Sequence, residues 1–67
     1  MIEEKVGSRI KELRNKLGIS QEELYFRSGV HRTYIASLEV GKRNISIATL
    51  EKIVNALEVS LSEFFDF

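Results

Sequence analysis

Apolar residues recur at intervals of three and four from one end of the chain to the other, and strand-like alternation does not set the pattern. A helical period without a strand period predicts an all-α fold. Ile2, Val6, Ile10, Leu13 and Leu17 line one face of a first helix from about Glu3 to Leu17, and Gly18 ends it with a left-handed cap. Ser20 and Glu23 have capping-box spacing, so a second helix begins at Gln21; Gly29 bends the chain after about two turns, and Val30 seats the bend. A third helix follows from about Arg32 to Glu39 or Val40, with Gly41 ending it. Ser46 caps a fourth, whose core face is Ile47, Leu50, Ile53, Val54 and Leu57. Ser60 with Glu63 repeats the capping-box signal for a short fifth helix over Leu61 to about Phe65.

With 67 residues, and no linker, repeat or low-complexity tail, residues 1–67 read as one domain. A chain of this size buries only about 60% of the surface its unfolded form exposes, so its stability is marginal and dimerisation would help. Absent cysteine excludes disulfides, and one histidine without ligand partners excludes a metal site. No apolar run reaches the roughly 20 residues of a membrane span, and the N-terminus lacks a signal peptide's apolar segment; no membrane partner and a cytoplasmic location are expected.

Ten basic residues balance ten acidic ones, which by itself argues against a polyanionic partner. The distribution changes that picture. Residues 1–43 carry nine Lys/Arg against six Asp/Glu, a net +3, and residues 44–67 carry one against four, a net −3. Such asymmetry suggests a basic face, although an ordinary solvated surface would look the same.

On the third helix Ile35 and Leu38 share the core side, leaving Thr33, Ala36 and Ser37 opposite, with Arg32 and Tyr34 on the flanks. A guanidinium, a methyl-bearing hydroxyl and small neighbours suit a DNA major groove: arginine donates two bonds to guanine O6 and N7, and threonine reaches a base edge or a thymine methyl. Arg32 is the leading candidate for base readout; the plainer reading has it on a phosphate or a neighbouring glutamate. Gln21, in the first turn of the second helix, carries an amide donor to a phosphate where unsatisfied backbone amides favour anions. Lys42, Arg43 and Asn44 form either a backbone clamp that also reaches base edges or a solvated turn, and Arg27 either touches phosphate or is solvated. His31 stands where a helix cap is expected, with no serine or carboxylate marking a hydrolytic partner. With no nucleophile–base pair and no phosphate-cradling loop, neither an enzyme nor a cofactor is expected.

The run SQEEL, Gly29 with Val30 after it, Ile35, Leu38-Glu39 and Gly41-Lys42-Arg43 together resemble the Cro/phage-repressor type of helix-turn-helix domain over nearly the whole chain. Within that group, His31 to Ile35, Arg43 to Ser46 and the paired phenylalanines near the end are similar to the controller proteins of restriction-modification systems. The resemblance implies a five-helix, lambda-repressor-like DNA-binding domain with the helix-turn-helix at helices 2 and 3. It also implies a homodimeric transcriptional regulator acting on a near-palindromic double-stranded operator. Carried over residue by residue, it gives base readout to Arg32 and Thr33, an adaptable contact to Tyr34, phosphate contacts to Gln21 and Ser37, and loop contacts to Arg43 and Asn44. An antitoxin-like interaction module and a phage-type repressor are the alternatives; antitoxins of this fold commonly carry an additional toxin-binding segment.

Two positions depart from the family pattern. Tyr25 replaces the usual alanine between helices 2 and 3 and must rotate to the rim or push them apart, and Ser28 replaces an apolar residue before the glycine. Ile45, Val59, Leu61, Phe64, Phe65 and Phe67 are more apolar surface than so small a core covers easily, so some are expected at a dimer interface; the competing reading places every phenylalanine in the intrachain core. Glu22, Glu23 and Glu39 either offer an acidic surface to RNA polymerase or serve capping and core-edge pairing.

Overall fold

All helices of the chain but the first start at a residue whose side chain accepts a first-turn amide. In the computed structural model, which describes residues 1–67, the helices are α1 (Ile2–Leu17), α2 (Gln21–Ser28), α3 (Arg32–Glu39), α4 (Ile47–Ala56) and α5 (Leu61–Phe64). The hydroxyls of Ser20, Ser46 and Ser60 accept the backbone N–H three residues on, at 3.0, 3.1 and 3.0 Å. Of these three serine-capped helices only α5 completes the capping box, the Ser60 amide donating to the Glu63 carboxylate. At α2 the expected reciprocal half is missing because the Glu23 carboxylate accepts from Arg27 one turn along instead. His31 caps α3 as the serines cap theirs, its Nδ1 accepting the Thr33 amide at 3.3 Å.

The helices close around Ile10, Leu24, Ile35, Ile53 and Phe64, all fully buried. α1 packs chiefly on α3, α2 bridges α3 and α4, and α5 rests on α4. The tightest approach is at Gly7. A methyl group there would sit 1.9 Å from the Leu38 carbonyl oxygen, so the backbones of α1 and α3 touch where no side chain fits.

Across this junction runs a partly buried ionic cluster. Arg14 of α1 donates from Nε and Nη2 to the two Glu39 carboxylate oxygens at 2.7 and 3.0 Å, and from Nη1 to the Ile19 carbonyl at 2.9 Å. Gln21 of α2 donates to the same carboxylate at 3.0 Å. The Glu39 side chain is only 3% exposed and Arg14 12%, so three helices meet on one desolvated anion. The hydrogen bond to Glu39 outweighs desolvation and raises the Arg14 pKa, with their charge attraction adding to it.

Three apolar residues lie elsewhere than expected. Ile2 and Ile47 are 58% and 74% exposed because each opens its helix before the helix reaches the bundle. Phe64, expected with the interface residues, is wholly inside the subunit, where it closes the core below α4. No helix is long and apolar enough to cross a membrane.

Gly7→Ala is expected to force α1 from α3 and lower stability by about 1–3 kcal/mol or more, as overpacking does. Gly29→Ala, with a left-handed φ of 76° but nothing within 4 Å of the added methyl, should cost about 1–2 kcal/mol, the left-handed penalty. Denaturant midpoints of the two variants check this order.

Candidate nucleic-acid interface

The bend that presents α3 is built from four side chains and a glycine. Gly29 takes the positive φ, its amide donating to the Tyr25 carbonyl at 2.8 Å, and Val30 is buried beneath. The Ser28 hydroxyl accepts the Val30 amide at 3.0 Å, so the polar residue that replaces an apolar one ties the turn instead of weakening it. Tyr25 takes the rim: its ring lies 5.3 Å from that of His31, and the two helices still close on Leu24 and Ile35. His31 is at once the cap of α3 and a ring tilted at 40° against Tyr25.

Beyond the bend, α3 turns Ile35 and Leu38 inward and leaves Arg32 and Thr33 exposed, with Ala36 and Ser37 half-buried. Large groups are absent from the middle of that face, so a flat or convex partner can come close to the helix. Lys42 and Arg43 follow in the α3–α4 loop, exposed and without an ion pair. Positive charge therefore collects at both ends of α3.

Several expected contacts are already engaged within the subunit. The Tyr34 hydroxyl donates to the Asn44 carbonyl at 2.9 Å, and the Arg43 guanidinium lies 4.7 Å over the Tyr34 ring. Tyr34 thus braces the loop that carries Arg43, a role its spacing on α3 does not announce. Ser37 turns its hydroxyl back to the Thr33 carbonyl at 3.2 Å, and Gln21 gives one amide proton to Glu39. Arg27, weighed for a phosphate, is held by Glu23 at 3.0 Å and Glu58 at 3.3 Å, which neutralise it and tie α2 to the α4–α5 turn. Glu39 is buried and offers no acidic surface; Glu23 holds Arg27, and Glu22 stands 3.8 Å from Arg32.

The residues expected to join subunits divide between two places. Ile45 and Phe65 border a groove of about 170 Å³ together with Ile2, Ile47, Leu50 and Glu3. Phe67 lies beside Phe65, ring centroids 6.0 Å apart, and Leu61 is 40% exposed. Val59 lies apart from the groove, in a shallow depression with Leu13 and Leu17. Arg9 holds the end of α5 in place, donating to the Glu63 and Phe64 carbonyls at 2.6 and 2.8 Å. The α5 carboxylate Glu63, bonded by the amide and hydroxyl of Ser60, has its pKa held below the ordinary value.

Residues 10–64 match the family model described as helix-turn-helix. The control protein C.BamHI of Bacillus amyloliquefaciens is 42% identical over 62 residues, covering 91% of this chain and 76% of the relative. Among solved structures, the restriction-modification controller protein C.AhdI of Aeromonas hydrophila superposes with a TM-score of 0.90 at 41% identity, covering 94% of this chain and 91% of that one. The C.Esp1396I tetramer in complex with its natural 35-base-pair operator gives a TM-score of 0.93 at 41% identity, over 98% and 87% of the two chains.

Replacing Tyr34 by Phe removes the bond to Asn44 and keeps the ring beneath Arg43. Amide exchange in residues 42–45 should quicken, with a loss of about 0.5–1.5 kcal/mol of local stability. Unchanged exchange there would show that the loop is held by other contacts.

Proposed function

The chain belongs to the helix-turn-helix family, among the control proteins of restriction-modification systems, and on that premise we propose how this sequence-specific DNA-binding regulator meets its operator. α3 enters the major groove with Arg32 and Thr33 toward base edges, and the loop residues Lys42, Arg43 and Asn44 lie along the backbone. The observation that carries this reading is the division of α3 into a buried apolar side and an open side of Arg32, Thr33 and small residues, flanked by unpaired loop cations. Gln21 and Ser37 approach phosphates at the edges of that surface, their hydroxyl or amide protons redirected from internal partners on binding. Tyr34 acts through the loop it braces, with base contact secondary.

Two copies are needed. The subunit's longest extent is 27 Å, whereas successive major grooves on one face of DNA lie about 34–36 Å apart. A two-fold pair joined through the groove at Ile45, Ile47 and Phe65, with Phe67 beside Phe65, presents two recognition helices to a near-palindromic site. A tetramer on operator DNA is described for the relative C.Esp1396I, which supports assembly of this kind. The work of such a protein lies in the cytoplasm, where its DNA is. RNA polymerase, if it touches the bound protein, has only Glu22 and Glu23 left of the three carboxylates on this side.

Binding should fall with salt at a log–log slope of roughly −4 to −7, for about four to eight phosphates per dimer. Arg32→Ala should relax one base position in each half-site by about 1–3 kcal/mol, while Lys42→Ala should weaken all sequences alike. Selection from a random duplex pool with each variant reads both effects; an Arg32→Ala protein with the parent's base preference would overturn the readout role.

Ile47→Glu places a charge in the groove without touching the core, since Ile47 is 74% exposed. Sedimentation equilibrium at micromolar concentration should show a dimer for the parent chain and a monomer for the variant. A monomeric parent would remove the pairing surface from the mechanism.

A further inference from the structure

One buried side-chain polar atom in the subunit has no hydrogen-bond partner, and it is Oε1 of Glu3. Glu3 is half-buried in the first turn of α1 and lines the groove with Ile2, Ile45, Ile47 and Phe65. Arg43 is the other charged side chain on that groove, and it forms no ion pair with Glu3; its guanidinium lies 4.7 Å over the Tyr34 ring. Inside the subunit the carboxylate is therefore uncompensated. With Oε1 closed off, the hydration that remains to the group comes from the open side of the groove. Buried polar groups without partners are rare enough in folded proteins that each asks for a reason.

We propose that Glu3 limits the strength of subunit pairing, because a second copy seated on the groove strips the remaining water from an unpaired carboxylate. The proposal rests on the groove being the pairing surface. Apolar neighbours favour covering the groove, and an ionised group moved into low dielectric without a partner opposes it. A two-fold pair meets that opposition twice, since each subunit brings its own Glu3. Arg43 does not relieve it, for in the DNA-bound form proposed above its charge lies along the phosphate backbone. The carboxylate is better hydrated in the free subunit than in the pair, so its charge shifts the balance toward free subunits. Two copies then join only once the chain is concentrated, and occupancy of a two-fold operator inherits that concentration dependence.

A plainer role is available to the same residue. An acid in the first turn of a helix is stabilised by the helix dipole, and Glu3 shares that turn with Glu4. Such a role acts within one subunit and leaves pairing alone. Glu4 is the matched control: it is exposed, bonded to the terminal amino group at 2.9 Å, and outside the groove.

The test compares the full chain with its Glu3→Gln and Glu4→Gln variants by sedimentation equilibrium, over a concentration series that spans the pairing transition. Glu3→Gln keeps the shape of the side chain and removes its charge, and its dimer should persist to concentrations about tenfold or more below the parent's. Glu4→Gln, with the same change in net charge, should pair as the parent does. Unchanged pairing in Glu3→Gln would overturn the proposal, and so would weaker pairing, which would mean that the second copy supplies a donor to the carboxylate. Equal tightening in Glu4→Gln would overturn it as well, since net charge would then be the cause. Failure of the underlying reading looks different: the parent and Glu3→Gln both stay monomeric throughout the series, or Ile47→Glu pairs as well as the parent.

Discussion

The open face of α3, the one proposed to meet DNA, hangs from the Glu39 carboxylate. It receives two bonds from Arg14 and one from Gln21, and so binds the last turn of α3 to α1 and to the first turn of α2. Removing one partner from a buried pair costs about 3–5 kcal/mol, because the other charge is left without compensation. A domain of this length is stable by only about 3–10 kcal/mol, so this cluster is decisive for the fold. It also fixes an angle: with α3 pinned at its C-terminal end by Glu39 and its N-cap His31 set against the Tyr25 ring of α2, the exposed face has little freedom to roll.

The helices were legible because their signals are local. Ser20, Ser46 and Ser60 mark starts within one turn, and apolar spacing identifies the faces of α3 and α4, so the observed bounds follow the expected ones to within a residue. Periodicity does not say where a helix overhangs its neighbours, which is why Ile2 and Ile47 lie outside. It also does not register a backbone contact. Gly7, between Val6 and Ser8 in the middle of α1, carries the one available hint, since an interior glycine weakens a helix and asks for a packing reason.

Charges were harder to place than apolar residues. Arg27 and Arg32 look alike in sequence, each on a short helix with glutamates nearby, but Arg27 finds a second carboxylate on Glu58, 31 residues away. Glu39 finds Arg14 at a separation of 25. Such partners are set by the fold and not by spacing, so a basic residue's availability to DNA becomes visible only when its internal partners are counted. The same holds for Tyr34, whose hydroxyl answers a carbonyl in the following loop.

The last turn of the chain faces two ways at once. Phe64 completes the interior and the adjacent Phe65 borders the groove, while Arg9 clasps the end of α5 at the Glu63 and Phe64 carbonyls. In the proposed pair, covering Phe65 with a second subunit would also steady Phe64, so partnership and folding would draw on one reservoir by mass action. Scarce copies would be the more fragile ones, exposed to proteolysis as they dissociate, and abundant copies would protect one another. A protein built this way carries a threshold in its own lifetime, with accumulation slow at first and self-reinforcing once pairs predominate.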